Sequence, residues 1–286
     1  MRGVLHRGFD KVVFTKVRER FGGRLRFAIS GGAALSREVA EFIDCLGITV
    51  YEGYGLTETS PVVAVNAPGA RRVGSVGRPL PGVRVEIDRS VTGDEREGEI
   101  VVYGHCVMMG YHNLPEESAA VLDAKGGLHT GDLGCIDEQG FLHITGRIKE
   151  RYKLENGKYV APVPLEEKLK LSPYIVNVMV YGADRPYNVA LVVPDFEALG
   201  TWASAQGIPT SDPKVLVQDA RVYALMQEEI TQVSVGFRSF DKIRKFVLIP
   251  DDFTVENDML TPSLKIKRRV IMARYGAQLE ALYRGG

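Results

Sequence analysis

The sequence lacks the marks of several large protein classes. Neither sign of charge is in excess, with 36 Lys+Arg against 36 Asp+Glu in 286 residues. That removes the basic stripe with which nucleic-acid binders neutralise phosphates, and no nucleic-acid partner is expected. No apolar run approaches the ~20 residues a membrane span needs. Met1-Arg2-Gly3 leads into a charged segment instead of a signal peptide's apolar core, so the expected location is cytoplasmic. Cysteine is scarce: Cys45, Cys106 and Cys135 are odd in number and widely spaced. Neither a disulfide framework nor a CxxC metal site follows, and small buried apolar roles are expected for all three. The histidines His6, His105, His112, His129 and His143 form no HExxH or paired-ligand pattern, and none is assigned to catalysis.

What is present is an ordinary globular composition, 45% hydrophobic and 25% charged, in a chain long enough for two cores. Its most informative stretch is Tyr51–Pro61, YEGYGLTETSP. A β-type run over 48–51 ends in two glycines flanking an aromatic, Gly53-Tyr54-Gly55, followed by Thr57 and Glu58. Glycines admit a ligand close to the backbone, Tyr54 offers a flat stacking face, Thr57 can donate to a phosphate oxygen, and Glu58 can hold a hard cation. Together these suit a magnesium nucleotide. A tight turn capped by ordinary hydroxyls is the bland alternative.

Residues 1–23 carry Arg2, His6, Arg7, Lys11, Lys16, Arg18 and Arg20 among apolar positions, consistent with an amphipathic helix ending at Gly22-Gly23. A solvated face explains it, and a peripheral contact with anionic lipid is the rival reading. A strand over 24–29, a glycine turn over 30–33, a helix capped by Ser36 and stopped at Gly47, and a strand over 48–52 make a strand–turn–helix–strand unit. Both glycine turns, Gly31-Gly32 and Gly53–Gly55, then lie at the C-terminal ends of parallel strands, where open α/β sheets bind ligands. From 62 to 145 the pattern changes to short β segments: a strand over 83–87, a turn at Gly93-Asp94, a strand over 98–103, a helix from Pro115, and LHTGDL at 128–133. Asp132 reads from spacing alone as a turn-former. Further on come a two-residue hairpin at Asn156-Gly157, a helix over 164–171 with Glu166 and Glu167 in its first turn, strands over 174–181, 188–193 and 242–249, a helix opened by Pro194, and a helical stretch over 200–240. An acidic loop at 251–258 and TPSLKIKRR at 261–269 precede a terminal helix with Ile271, Tyr275, Leu279 and Leu282 on one face.

The ordered succession YGLTETSP, GEIVVYG, GY, TGDL, GRIKE and TPSLKIKRR resembles the adenylate-forming superfamily of acyl-CoA synthetases, luciferases and peptide-synthetase adenylation domains. ENGKYV and TPSLKIKR are most similar to its long-chain fatty acid–CoA ligases. The resemblance implies an α/β plus α+β fold: part of a large domain over 1–147 (a βαβ unit and a small β-barrel-like subdomain), then a small mobile α+β domain over 148–286 hinged near Lys149. It implies ATP/AMP, Mg²⁺, coenzyme A and a long-chain fatty acid as ligands, with catalysis through acyl-AMP. In that pattern Gly31, Gly32 and Ala33 lie against the adenine opposite Tyr54, and Asp132 accepts from both ribose hydroxyls. Arg147 reaches ribose or phosphate, Lys153 serves thioester formation, and Lys265 contacts the acyl carboxylate and α-phosphate. Leu264 stands where a gapless match would put that lysine, which leaves Lys267 as its competitor.

One departure concerns the front of the pattern. No Ser/Thr/Gly-rich loop ending in Pro-Lys-Gly precedes Gly31-Gly32. The chain therefore resembles the C-terminal portion of such a ligase, with weak or no ligase activity expected of it alone. Two rival functions stay open: an acyl-AMP ligase loading a carrier protein, and a non-catalytic nucleotide-binding homologue.

Overall fold

A computed structural model describes residues 14–33, 35–92, 95–208 and 212–284, which divide into two compact units between Ile148 and Lys149. The basic positions Arg2, His6, Arg7 and Lys11, and the turn at Gly93-Asp94, lie outside the described residues.

In the first unit, α1 (Thr15–Arg20) ends as its glycines predict: Gly22 N–H bonds Glu19 O and Gly23 N–H bonds Arg18 O, both glycines having positive φ. Strand β1 (Phe27–Ser30) runs parallel to β2 (Thr49–Gly55) through α2 (Arg37–Cys45), whose cap, Ser36, accepts from Val39 N–H at 3.2 Å. Here the structure corrects the sequence reading. Gly53–Gly55 is not a turn but the end of β2, paired antiparallel with β3 (Val62–Val65), which pairs in turn with β4 (Arg78–Pro79). Glycine is needed there because chains run close: a Cβ on Gly55 would lie 1.8 Å from Pro61 O.

The second sheet is an antiparallel meander of β5 (Val83–Asp88), β6 (Gly98–Gly104), β7 (Leu128–Ile136) and β8 (Leu142–Arg147), with α3 (Pro115–Val121) between β6 and β7. It is open, with β5 and β8 unjoined, rather than a closed barrel. Val63, Ala64, Ile100, Val102, Cys106 and Leu142, from both sheets and the loop after β6, share one core. Only Cys106 fits the role expected of the cysteines: Cys135 is half-buried and Cys45, at the end of α2, is exposed.

In the second unit a short hairpin, β9 (Tyr152–Lys153) with β10 (Tyr159–Val160), is extended by the Leu154 N–H bond to Lys158 O, so the chain turns through three residues, 155–157, instead of two. Gly157 alone takes positive φ (+84°), while Asn156 accepts Lys158 N–H through its side chain at 3.0 Å. That is a type I turn with a glycine bulge, the alternative open to Asn-Gly. Helix α4 (Pro162–Leu169) starts earlier than predicted, which moves Glu166 from a first turn into the interior. The sheet follows: β11 (Ile175–Tyr181) is antiparallel to β12 (Asn188–Pro194), and β12 is parallel to β13 (Ile243–Leu248). The parallel connection runs through α5 (Phe196–Ala205), capped by Asp195 rather than opened by Pro194, the single turn α6 (Pro213–Leu216), and α7 (Ala220–Val233).

Alternation decides the packing. Val178, Val180, Ala190, Val192 and Phe246 face a core with α4, α5, α6 and α7, whereas Met179, Val189, Leu191 and Val193 face one with the terminal α8 (Arg268–Ala281). Every residue of β12 is buried because both its edges are paired and both its faces covered.

Candidate functional site

The first unit brings three predicted residues into one hydrogen-bonded group. Asp132 on β7 opposes Arg147 on β8 in the ladder, and Arg147 Nε lies 2.8 Å from Asp132 Oδ1. Tyr54, from β2 of the other sheet, donates its hydroxyl to Asp132 Oδ2 at 2.6 Å. The carboxylate is 3% exposed while the Arg147 side chain is half exposed. Burial first, then the Asp132 charge and the hydrogen bond to it, push the Tyr54 phenol well above its ordinary value; Thr130 and then Arg147 oppose this weakly. Tyr54 therefore has a role beyond the expected stacking face, and both Asp132 oxygens carry protein partners. Each oxygen has a second lone-pair site, which is the capacity a vicinal diol would use.

Asp132 does not sit at a turn. It follows Gly131 (φ +71°) inside β7, where Thr130 Oγ1 donates to Ile100 O at 2.7 Å and accepts Asp132 N–H at 3.1 Å. Gly31, Gly32 and Ala33 follow β1 as exposed backbone. A Cβ on Gly31 would meet Gly53 O at 3.4 Å, so the two glycine segments adjoin.

Thr57 and Glu58 occupy a single 3-10 turn, Thr57–Thr59, just beyond β2. Thr57 is exposed. Glu58 O accepts Met108 N–H at 2.9 Å, and its Oε1 accepts the Tyr111 hydroxyl at 2.9 Å, a bond that raises the Tyr111 phenol. Two contributors escaped the sequence reading. Tyr111 fixes Glu58, and its signal was the Gly110-Tyr111 pair. Thr59 is fully buried: its hydroxyl accepts Leu56 N–H at 3.0 Å and lies 2.9 Å from Pro61 O, which holds the turn shut. The second hydroxyl of T-E-T was that signal. Glu58 offers a hard oxygen ligand suited to Mg²⁺, which takes one or two carboxylates and completes its shell from phosphates and water.

The remaining candidates belong to the second unit. Lys153 on β9 is exposed, its Nζ 5.9 Å from the centre of the Tyr159 ring. Lys265 closes a turn in which Thr261 Oγ1 accepts its N–H at 3.0 Å, and Leu264 is held at φ +60° with 69% exposure. The two competing lysines differ in their surroundings. Lys267 is ion-paired with Asp258, whereas the Lys265 ammonium has no such partner among the described residues.

Comparison with known proteins finds relatives of both units. Residues 3–112 match the family of AMP-binding enzymes, and residues 149–286 match the AMP-binding enzyme C-terminal domain. The chain is 37% identical over 282 residues to a long-chain-fatty-acid–CoA ligase of Mycobacterium bovis, covering 97% of this chain and 45% of that protein. It is 35% identical to the peroxisomal long chain acyl-CoA synthetase 7 of Arabidopsis thaliana, covering 96% and 41%. The chain thus spans less than half the length of these relatives. Among solved structures, the A domain of a carboxylic acid reductase from Segniliparus rugosus, in complex with AMP and a co-purified carboxylic acid, superposes with a TM-score of 0.77 at 30% identity, covering 96% of this chain and 42% of that one. The A-PCP didomain of a carboxylic acid reductase from the same organism, in complex with AMP, gives 0.73 at 28%, covering 97% and 39%.

Proposed function

The chain belongs to the AMP-binding enzyme family, and on that premise we propose that it forms part of a long-chain fatty acid–CoA ligase, which activates the acid with ATP as acyl-AMP and passes the acyl group to coenzyme A. The observation carrying the reading is the Tyr54–Asp132–Arg147 group: a buried carboxylate fixed by two partners, with an acceptor site left on each oxygen. Asp132 takes the ribose hydroxyls, with half-exposed Arg147 giving access as it moves toward phosphate. The backbone of 31–33 and the ring of Tyr54 flank the adenine.

Adenylation sets a carboxylate against a triphosphate, so the barrier contains a large repulsion between negative charges. Thr57 donates its exposed hydroxyl to a phosphate oxygen. Glu58, oriented by Tyr111, would hold Mg²⁺, which when bound supplies charge neutralisation. We assign the adenylation lysine to Lys265 because its ammonium is exposed and unpaired, while that of Lys267 is held by Asp258. Lys153 is the candidate for the thioester-forming step, and Lys149, where the units divide, is the candidate hinge.

Calorimetric titration of the chain with an acyl-sulfamoyl-adenosine, beside Asp132→Ala, tests the site. Saturable binding that disappears in the variant supports it, and no binding by either protein refutes the assignment. Similarity to a didomain that carries a PCP favours one second reading, transfer of the acyl group to a carrier protein. Offering coenzyme A and a phosphopantetheinyl carrier in parallel to the ligase containing this chain separates the two.

A further inference from the structure

Glu99 is a buried charge that the nucleotide reading leaves unused. It is 7% exposed on β6, and an isolated carboxylate there would pay heavily for lost hydration. It has two partners. Oε1 accepts Gly131 N–H at 2.9 Å, and Oε2 lies 2.8 Å from His129 Nδ1. Both belong to the segment immediately before Asp132.

That segment is irregular. Glu99 pairs with Leu133 and Val101 with His129, so residues 130–132 on β7 face Ile100 alone on β6. Such a bulge leaves backbone groups unpaired and re-aims a side chain. Gly131 supplies the left-handed conformation, Thr130 ties Ile100 O to Asp132 N–H, and Glu99 takes the Gly131 N–H that the ladder has lost. Asp88 lies within 4.8 Å of Glu99 and His129, and its Oδ1 accepts the N–H and hydroxyl of Ser90. Both Glu99 oxygens, by contrast, are engaged by partners on β7, which gives Glu99 a positioning role there.

We propose that Glu99 is a positioning residue for Asp132: by clamping His129 and Gly131 it fixes the bulge that presents Asp132 to Tyr54 and Arg147, and hence to a ribose. The inference rests on the nucleotide reading above for its ribose part only. A carboxylate suits the task because it offers two acceptors to two N–H donors. Glutamine can replace it, keeping an oxygen for Gly131 and meeting the other tautomer of His129. Leucine, of similar size, cannot.

The test uses the 286-residue chain labelled with ¹³Cζ-tyrosine, the Tyr54 resonance being assigned by its loss in Tyr54→Phe, together with titration of the acyl-sulfamoyl-adenosine. Glu99→Leu should move the Tyr54 resonance to where Asp132→Ala places it and weaken the mimic at least about tenfold, the scale of one lost hydrogen bond to a charged group. Glu99→Gln should keep both near wild type. Glu99→Asp, one methylene too short to reach both Gly131 N–H and His129 Nδ1, should move the Tyr54 resonance in the same direction if Glu99→Leu does not fold, and a wild-type resonance in Glu99→Asp counts against the clamp. A wild-type Tyr54 resonance and affinity in Glu99→Leu, or equal damage from Gln and Leu, overturns the proposal. Absence of mimic binding by the wild type overturns the nucleotide reading instead, and the tyrosine spectrum then decides separately whether Glu99 positions Asp132.

Discussion

Removing the hydroxyl in Tyr54→Phe deletes one hydrogen bond, 2.6 Å long, to a carboxylate that is 3% exposed. Hydrogen bonds to charged groups contribute ~1.5–3 kcal/mol, and the buried acceptor cannot recover the loss from water. The first unit should therefore lose about 2 kcal/mol, and each kcal/mol lowers the midpoint of a unit this size by ~2–4 °C. Two-unit chains need not melt in one step, so the probe must tell the units apart. The sequence provides one: its single tryptophan, Trp202, lies on α5 of the second unit. Tryptophan fluorescence should report an unchanged transition, while calorimetry resolves a lowered one. Alkaline pH adds a signed check. The folded phenol titrates well above its ordinary value of ~10, so its contribution is complete below pH ~10 and is lost as pH rises through that value toward the folded one. Tyr54→Phe should make the first unit's stability fall less steeply in that window, by ~1.4 kcal/mol per pH unit. A loss under ~0.5 kcal/mol, or an equal shift of the Trp202 transition, would refute the argued role of this bond.

Three further outcomes are expected. Gly55→Ala, whose Cβ would stand 1.8 Å from Pro61 O, should destabilise the first unit by about 3 kcal/mol in urea unfolding, and a change below about 1 kcal/mol would show that β2 and β3 can part. Leu264→Gly should stabilise the second unit by roughly 0.5–1 kcal/mol, because it relieves a left-handed leucine whose side chain is mostly in water; a loss would show that the side chain holds the turn. Glu166→Ala strips a buried carboxylate from Arg268 and from Val180 N–H (2.7 Å), and should cost about 3 kcal/mol by Trp202 fluorescence, whereas a neutral result would mean Arg268 finds water without strain.

Local signals were read where the chemistry is local. Ser36 and Gly47 bounded α2 because a side-chain cap and a left-handed stop act within one turn. The strands expected over 174–181, 188–193 and 242–249 are β11, β12 and β13, but the central place of β12 comes from its pairing on both edges. Gly53–Gly55 and Thr130–Asp132 were read as turns because glycine next to a polar residue is the usual turn signature. In the fold these glycines serve close strand approach and a bulge, which only a neighbouring strand can demand. Glu166 looked like first-turn dipole chemistry until Pro162 started the helix earlier and Arg268 arrived from 102 residues away.

The sequence by itself determined the residue types a nucleotide site requires and their order along the chain: the glycine segments, an aromatic, a hydroxyl beside a carboxylate, an aspartate, an arginine and a lysine. Those follow from what each side chain can donate, accept or stack against, and such capacities do not depend on the fold. Tertiary structure alone decided which of them meet. Tyr54 and Asp132 are 78 residues apart, and their bond exists because β2 and β7, in different sheets, pack on one shared core. It also decided which charges are spent: Lys267 on Asp258, Glu99 on Gly131 and His129, with the Lys265 ammonium left exposed. Partner choice is a matter of distance and burial, and those come into being only when the strands assemble.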